Sequence, residues 1–446
     1  MEVQDRVSER SYRPEWPRDP EASEAVQVTV REILSRPLDA EAAVRVALLN
    51  NRELLASFEE IGISQAELAQ ASRIVNPSLN TSLRFADGPY NNTEVGLALD
   101  FLEVFILPLK KKIARVELER TQLRTANEVM SLAAMVRTAF YELLASEELL
   151  KRLSLMQEIR LAAAEFAAAQ ERAGNLNELD LERHRASANQ LRVDVVRARL
   201  DVRMKREALN RHLGLWGDDI QWRGAEGLPA LPASDPPIES LERVALESRF
   251  DVAAARKGVE QVSRALGLTK GTRFFPAGVE IGIESEREPD GERVTGPTLG
   301  LKLPIFDQGQ PAVARLHSQL LQSQRRLEHL SIQIRSEVRQ ARDFLTATRE
   351  LTEYYRDRLL PQRRDIVGLA LEQYNMMLLG TYDLLQAREQ EVETERAFIE
   401  AWRDYWIAHA ELERALGGRI PSESMDVSSL SSGESTTNAA NEEVQR

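Results

Sequence analysis

Cysteine is absent from this chain of 446 residues. That excludes disulfides, thiolate metal sites, cysteine nucleophiles and lipid attachment at a cysteine of this chain, and it leaves the redox compartment open. Aromatic residues are scarce, at 6%. No segment reaches the ~18–20 continuous apolar residues of a membrane-spanning helix. The most apolar run, Val95 to Leu109, is interrupted by Asp100, Glu103 and Pro108. The opening residues, MEVQDRVSERSYRPEWPRDPE, lack the apolar core of a signal peptide. Positive charge is not in excess either. The net charge is -13, and phosphate binding needs a basic surface, which argues against a nucleic-acid partner. No P-loop, nucleophile–base arrangement or pair of catalytic carboxylates stands out, and His184, His212, His317, His329 and His409 show no HxxxH spacing. Met376 and Met377 read as packing residues rather than soft-metal ligands. The expectation is a protein that is not an enzyme and has no cofactor and no metal site.

What is present is helix-forming sequence in long uninterrupted stretches. Ala, Leu, Glu, Arg and Gln dominate. Residues 1–37 are charged and proline-rich and read as an irregular arm. A helix begins at Leu38-Asp39, with Asp39 as its N-cap, and ends near Val75. Two alternating stretches, strands over 78–86 and 93–102, flank the turn cluster ADGPYNN and form a hairpin. Pro108 to Ala173 holds no internal proline or glycine, one helix of about 66 residues and ~100 Å. Gly174-Asn175 breaks it, and a second helix runs to Leu213-Gly214. A loop over 219–237 follows.

The order then repeats. A helix from Ile238 leads to strands over 277–286 and 294–305. A very long helix spans Gln308 to Leu379, interrupted only by Pro361 and Gly368, with Val313, Leu320, Leu327, Ile334 and Ala341 in a coiled-coil stripe. Gly380-Thr381 breaks it, and a last helix ends at LERALGG. Residues 419–446 are polar and Ser-rich, a disordered tail. Pro77 matches Pro276, Leu97 and Leu99 match Leu301 and Leu303, Gly174 matches Gly380, and Leu209–Gly214 matches Leu412–Gly417. The chain is therefore mostly α with a small β part, an internal duplication of 38–218 in 238–418.

Each half has two short helices that sum to about the length of its long one, so they stack end to end beside it. The glycine breaks, near 174 and 380, become hairpin tips at one end, and the strands emerge at the other. Four strands per chain are too few for a closed spanning barrel, which needs at least eight, and an open sheet exposes its edges. At ~9–11 residues they suit a tilted spanning strand. A spanning role thus requires several chains to pool strands. Leu299, Leu301 and Leu303 fall on one face, and Thr298, Gly300 and Lys302 on the other. We expect Leu299, Leu301, Leu303, Val95, Leu97 and Leu99 to meet lipid, and Pro304 to end the sheet where the chain leaves it.

The motif LGLKLPIFDQGQ, the repeat, the glycine-broken hairpins and LERALGG resemble the TolC family of outer-membrane efflux channels over Leu38 to Gly418. The opening helix is similar to that of the heavy-metal and cation efflux branch. The resemblance implies a homotrimer whose twelve strands form one β-barrel in outer-membrane lipid, continued by a long periplasmic α-helical barrel. It implies a passive conduit of a Gram-negative outer membrane for export of metal cations or drugs. A periplasmic adaptor (membrane fusion) protein and an inner-membrane pump, often proton-driven, would be its partners, and an export signal would lie upstream of Met1. The tip residues Gly174, Asn175, Leu176, Leu379, Gly380 and Thr381 would touch the adaptor, although such glycines also simply reverse the chain. Members close the pore with a Tyr and an Arg from the second hairpin and an Asp from the first. The Asp is kept as Asp180, but the Tyr position is Met377 and the Arg position Tyr382, so that charged latch cannot form. Two pore-ringing Asp positions become Gln386 and Glu389. A threefold Glu389 ring would select cations; the plainer reading of Asp180 and Glu389 is a solvated helix face. The competing reading of the whole chain is a soluble coiled-coil scaffold or adaptor, suggested by the charged helices and the missing signal. A scaffold has no reason to expose an apolar strand face.

Overall fold

The computed structural model describes residues 2–418 except 9, 11, 18, 86–90, 226, 233–239, 274–278, 289 and 302–304. Pro276, Leu303, Pro304, most of the first strand turn and the 419–446 tail lie outside the described residues.

The expected irregular arm is corrected. It carries α1 (Glu2–Ser8) and α2 (Pro20–Leu34), the latter capped by Asp19, which accepts from the Ala22 N–H, with Pro20 in the first turn. Val3, Val7, Tyr12, Val26 and Val30 are buried. The prolines that suggested disorder sit between or at the ends of these helices, where a missing N–H costs nothing.

Asp39 caps the next helix as expected, α3 (Ala40–Asn50), but the chain breaks at Asn51 and resumes as α4 (Arg52–Ala71). Asn51 takes extended backbone, and its side chain accepts from the Leu54 N–H. Strands β1 (Ser78–Arg84) and β2 (Asn92–Asp100) follow. The 72-residue helix α5 (Phe101–Arg172) starts before Pro108, not at it. Asp100 accepts from the Leu102 and Glu103 N–H groups, and Phe105 packs edge-on against Phe101, 5.1 Å away. A cap plus an (i, i+4) aromatic pair carries the helix through the proline. Then come α6 (Glu178–Leu213), α7 (Leu241–Ser248), α8 (Phe250–Thr272), β3 (Val279–Arg287), β4 (Arg293–Leu301) and α9 (Gln310–Tyr354). A single π turn, Tyr355–Leu359, joins α9 to α10 (Leu360–Asn375), and α11 (Thr381–Leu416) closes the order.

The strands form one antiparallel sheet in the order β1-β2-β3-β4. At ~1.5 Å per residue α5 is ~108 Å long, and α6 packs along its tip half while α3, α4 and α8 pack elsewhere along it. The two halves share a joint. Asn50 and Asn51 donate to the carbonyls of His212, Leu213 and Gly214 at the end of α6. In the second half the break falls at Arg249, between α7 and α8, and Arg249 donates to the Ala415 carbonyl at the end of α11. A Cβ on Gly214 would meet the Asn50 carbonyl oxygen at 2.4 Å, and one on Gly417 would meet Arg249 Cγ at 2.9 Å. Each helix break is thus filled by the closing glycine of its own half. Sequence periodicity alone gives one helix in both places because the break is made by this distant backbone.

The core lies at this level. One apolar cluster includes Leu48, Phe58, Phe140, Leu144 and Leu213; another includes Leu241, Ile334, Tyr405 and Leu412. Arg249 is buried between Asp251 (2.7 Å) and Glu337 (2.8 Å). Burial pushes the Glu337 carboxyl up, but hydrogen bonds from Arg249 and Gln333 outweigh it and hold the carboxyl below its ordinary value. An acid held low in the native state adds stability above the unfolded pKa of about 4.3, and that stability is lost as pH falls through the native value. Between pH ~6 and ~3 the native chain should therefore lose more urea resistance than Glu337→Gln, measured as the shift in unfolding midpoint.

Candidate functional site

The sheet has two unlike faces. Register places Leu79 beside Leu97, Leu97 beside Ile283 and Ile283 beside Pro297; Leu99, Ile281 and Leu299 form the next row. Leu83, Val95, Val279 and Leu301 share the same face by alternation. These apolar side chains are not covered: Leu97 is 52% exposed and Ile283 and Leu299 each 64%. The other face carries Asn80, Ser82, Glu94, Glu280, Glu284 and Glu286 among small residues such as Gly96 and Gly300. Arg84 lies 3.4 Å from Glu94, and Asn92 donates to Glu286 at 2.6 Å. Among the described residues the outer edges of β1 and β4 have no strand neighbour.

At the far end are the tips. After α5, Gly174 takes φ +75; its N–H donates to the Glu171 carbonyl, and that of Asn175 to the Gln170 carbonyl. This is the Schellman closure of a helix, which favours glycine. After α10, the same pair of bonds is made by Met377, at φ +60, and Leu378. Gly380 instead has extended backbone and stands where Asn177 stands, at the N-cap of the returning helix. The expected match of Gly174 with Gly380 is therefore corrected: the counterpart of Gly174 is Met377. Matching by residue type failed because a methionine holds the left-handed position, at a cost of about 1–2 kcal/mol. Met376, Met377 and Leu378 are exposed, Met377 at 94%. Gly174, Asn175 and Gly380 are exposed, while Leu176, Leu379 and Thr381 are half-buried.

The predicted gate residues divide. Tyr382 joins both hairpins: its hydroxyl donates to Gln170 Oε1 of α5 (3.1 Å), and its ring stacks on His184 of α6, centroids 4.3 Å apart at 17°. Burial, with the Asp180 carboxylate adding to it, pushes the Tyr382 hydroxyl above its ordinary pKa, so it stays a donor. Glu389 faces Arg160 of α5 at 2.5 Å. Burial pushes the Glu389 carboxyl up, against the pull of Arg160 and His184. Within one protomer the Glu389 carboxylate is thus paired with Arg160. Asp180 is engaged locally by Asn177 (2.8 Å) and Arg183 (3.0 Å). Met377 points away into solvent, and Gln386 is exposed one turn from Tyr382.

Sequence reasoning missed Gln170, His184 and Arg160. Their signal was positional: α5 runs toward the tips and α11 away from them, so groups at similar distances from the tips meet. Arg160–Glu389 and Arg152–Glu395 (3.3 Å) obey that rule. Among the described residues no cluster of three or more His, Asp or Glu has metal-binding geometry.

No protein-family model matches the chain. In sequence it is 24% identical over 392 residues to the cobalt-zinc-cadmium resistance protein CzcC of Cupriavidus metallidurans, covering 85% of this chain and 90% of that one. In structure it resembles the CmeC outer membrane channel of Campylobacter jejuni, with a TM-score of 0.73 and 17% identity over 88% of both chains. It also resembles the outer membrane protein VceC of Vibrio cholerae, with a TM-score of 0.69 and 14% identity over 91% of this chain and 100% of that one. Coverage this high takes in both halves, the sheet and the hairpins together. The chain carries the TolC-type fold of the outer-membrane channels it resembles.

Proposed function

We propose that this chain is the outer-membrane channel of a tripartite efflux system, a passive conduit from the periplasm to the exterior. The observation that carries it is the sheet: one continuous apolar face left bare, one acidic face, and two open edges. Three copies joined edge to edge give twelve strands, enough to close a barrel with the apolar face toward lipid and the carboxylates toward the lumen. A soluble scaffold would instead have to leave Leu97, Ile283 and Leu299 in water. Carboxylates of Glu94, Glu280, Glu284 and Glu286, repeated threefold, concentrate cations in the lumen. That favours metal cations over anionic drugs as cargo and accords with the named resistance of the CzcC relative. The exposed tips engage a periplasmic adaptor, which couples the conduit to a proton-driven inner-membrane pump; the chain has no catalytic step of its own.

Planar-bilayer conductance of detergent-purified protein of known mass tests this. A trimer that inserts and conducts, with cations preferred, supports it; a monomeric protein that never inserts favours the scaffold. The same assay reads the tip latch. Tyr382→Phe removes one neutral hydrogen bond per protomer, worth ~0.5–1.5 kcal/mol, so the open population should rise about 2- to 10-fold per protomer. An unchanged open probability would remove Tyr382 from the gate.

A further inference from the structure

Positive charge is concentrated where the sheet meets the helices. Residues 101–116 at the start of α5, 264–273 at the end of α8 and 305–316 at the start of α9 hold eight Lys and Arg against two carboxylates, Glu103 and Asp307, in a chain of net charge -13. The fold brings the three segments to one level. Arg264 of α8 donates to the Lys112 carbonyl of α5 at 3.4 Å, and a Cβ on Gly309 would meet Arg273 Cβ at 3.2 Å. Further from the sheet the cations are paired within the chain, Lys257 with Glu119 at 2.7 Å and Arg120 with Glu117 at 3.3 Å. At the sheet end Lys110 pairs with Glu103 at 2.6 Å. Among the described residues Lys111, Lys112, Arg115 and Lys270, all exposed, make no ion pair.

The same helix start continues the bare apolar side of the sheet. Phe101 follows Val95, Leu97 and Leu99 by alternation, and α5 then presents Val104, Phe105, Pro108 and Leu109 on one exposed face. Lys112 and Arg115 come next on that face, so it turns from apolar to cationic within one turn of helix. Phe105 is 66% exposed, and Phe306, just before α9, is 99% exposed. The lengths agree with this division. β2, β3 and β4 have nine residues each. At ~3.3 Å per residue and a tilt of ~45° they span ~21 Å, short of the ~25 Å apolar band of a membrane barrel. Phe105, ~6 Å further along the helix, completes that band. Lys111, Lys112 and Arg115 fall beyond it, and side chains of that length reach back to the phosphate level of a bilayer.

We propose that this cationic band binds anionic phospholipid in the leaflet on the helical side of the barrel, with Lys111, Lys112 and Arg115 of each protomer holding the phosphate. The inference rests on the conduit reading, which places the sheet in lipid. Two features together name the occupant. An apolar face continuous with that of the sheet takes acyl chains, and unpaired cations directly beyond it take a headgroup that keeps a net negative charge. A zwitterionic headgroup offers the same phosphate but brings an ammonium that the lysines repel. A soluble anion has no use for the apolar face. The contact fixes the depth at which the short barrel sits in the bilayer.

The full chain, reconstituted in phosphatidylcholine vesicles with a trace of chain-spin-labelled phosphatidylglycerol or phosphatidylcholine, tests this. The fraction of label immobilised by protein gives the relative association of the two lipids. In dilute salt phosphatidylglycerol should be favoured at least ~5-fold, about the factor that one Lys or Arg contributes at an anionic surface. Raising NaCl tenfold should lower the preference below ~2-fold, because the Debye length contracts. Lys111→Gln, Lys112→Gln and Arg115→Gln together should abolish it in dilute salt, while Lys111→Arg with Lys112→Arg should keep it. Equal immobilisation of both lipids by the native protein overturns the site, and so does a preference that survives in the triple Gln variant. Should that variant not assemble, a photoactivatable phosphatidylglycerol on the native protein decides: cross-links on 101–116 and 264–273 support the site, and cross-links confined to other segments, as when a neighbouring protomer covers this face, overturn it. A chain that never inserts immobilises neither lipid, which removes the conduit reading along with the site; equal immobilisation of both removes the site alone.

Discussion

Arg137→Met is expected to destabilise the protomer by ~3–5 kcal/mol, enough to unfold a marginal domain. The Arg137 side chain is only 6% exposed. Its guanidinium donates to Glu413 (2.6 Å), Glu41 (2.7 Å) and the Tyr12 hydroxyl (2.8 Å). Burial works against its charge, but Glu413, Tyr12 and Glu41 outweigh burial and hold it more firmly protonated than usual. The four groups come from the N-terminal segment, α3, α5 and α11. Removing the cation leaves Glu413, whose side chain is 13% exposed, charged and unpaired. Adding Glu413→Gln to the variant should return part of the loss, because the orphaned charge and not the missing contact dominates the cost. Urea or thermal unfolding of the two variants measures both numbers. A loss under ~1 kcal/mol for Arg137→Met would mean that water reaches the site.

The second large effect is expected in the sheet. Leu97 lies near the middle of β2 on the bare apolar face. An arginine facing the hydrocarbon midplane costs ~2–4 kcal/mol, so Leu97→Arg in three protomers costs ~6–12 kcal/mol per barrel. Assembled trimer in the membrane fraction should fall to a trace. Ser82→Arg, on the opposite face and beside Glu94, should assemble normally and reduce cation preference. If Ser82→Arg blocks assembly and Leu97→Arg does not, the two faces are the other way round.

Much of this molecule was legible because its signals are local. Alternation in Val95–Leu97–Leu99 needs only neighbouring residues, and so do the Asp39 cap and the closing glycines Gly214 and Gly417. What escaped depends on partners far away in the chain. Asn51 and Arg249 break helices because another helix end must fit there. The short helices of the N-terminal segment have too few turns for a periodic pattern, and only the core they cover explains them. At the tips, the contacts between the hairpins could not be read from residue type. Tyr382 fastens the hairpins through Gln170 and His184, a neutral contact that no charge pattern announces.

The N-terminal segment has a consequence for the order in which the chain becomes a protein. Arg10 donates to the carbonyls of Ser248 and Gly417, and Tyr12 is held through Arg137 by Glu413. β2 must wait for β3 across a shorter but still long gap, with Thr93 paired to Arg287 and Asn92 bonded to Glu286 across 194 residues. During synthesis Arg10 therefore meets the Gly417 carbonyl only after the 407 residues of separation between them have been made. Closing loops of that length is slow, and until it happens the core lacks its cover. Until these long-range contacts close, the nascent chain lacks part of its core, a condition in which a polypeptide can still be threaded through a narrow translocation pore.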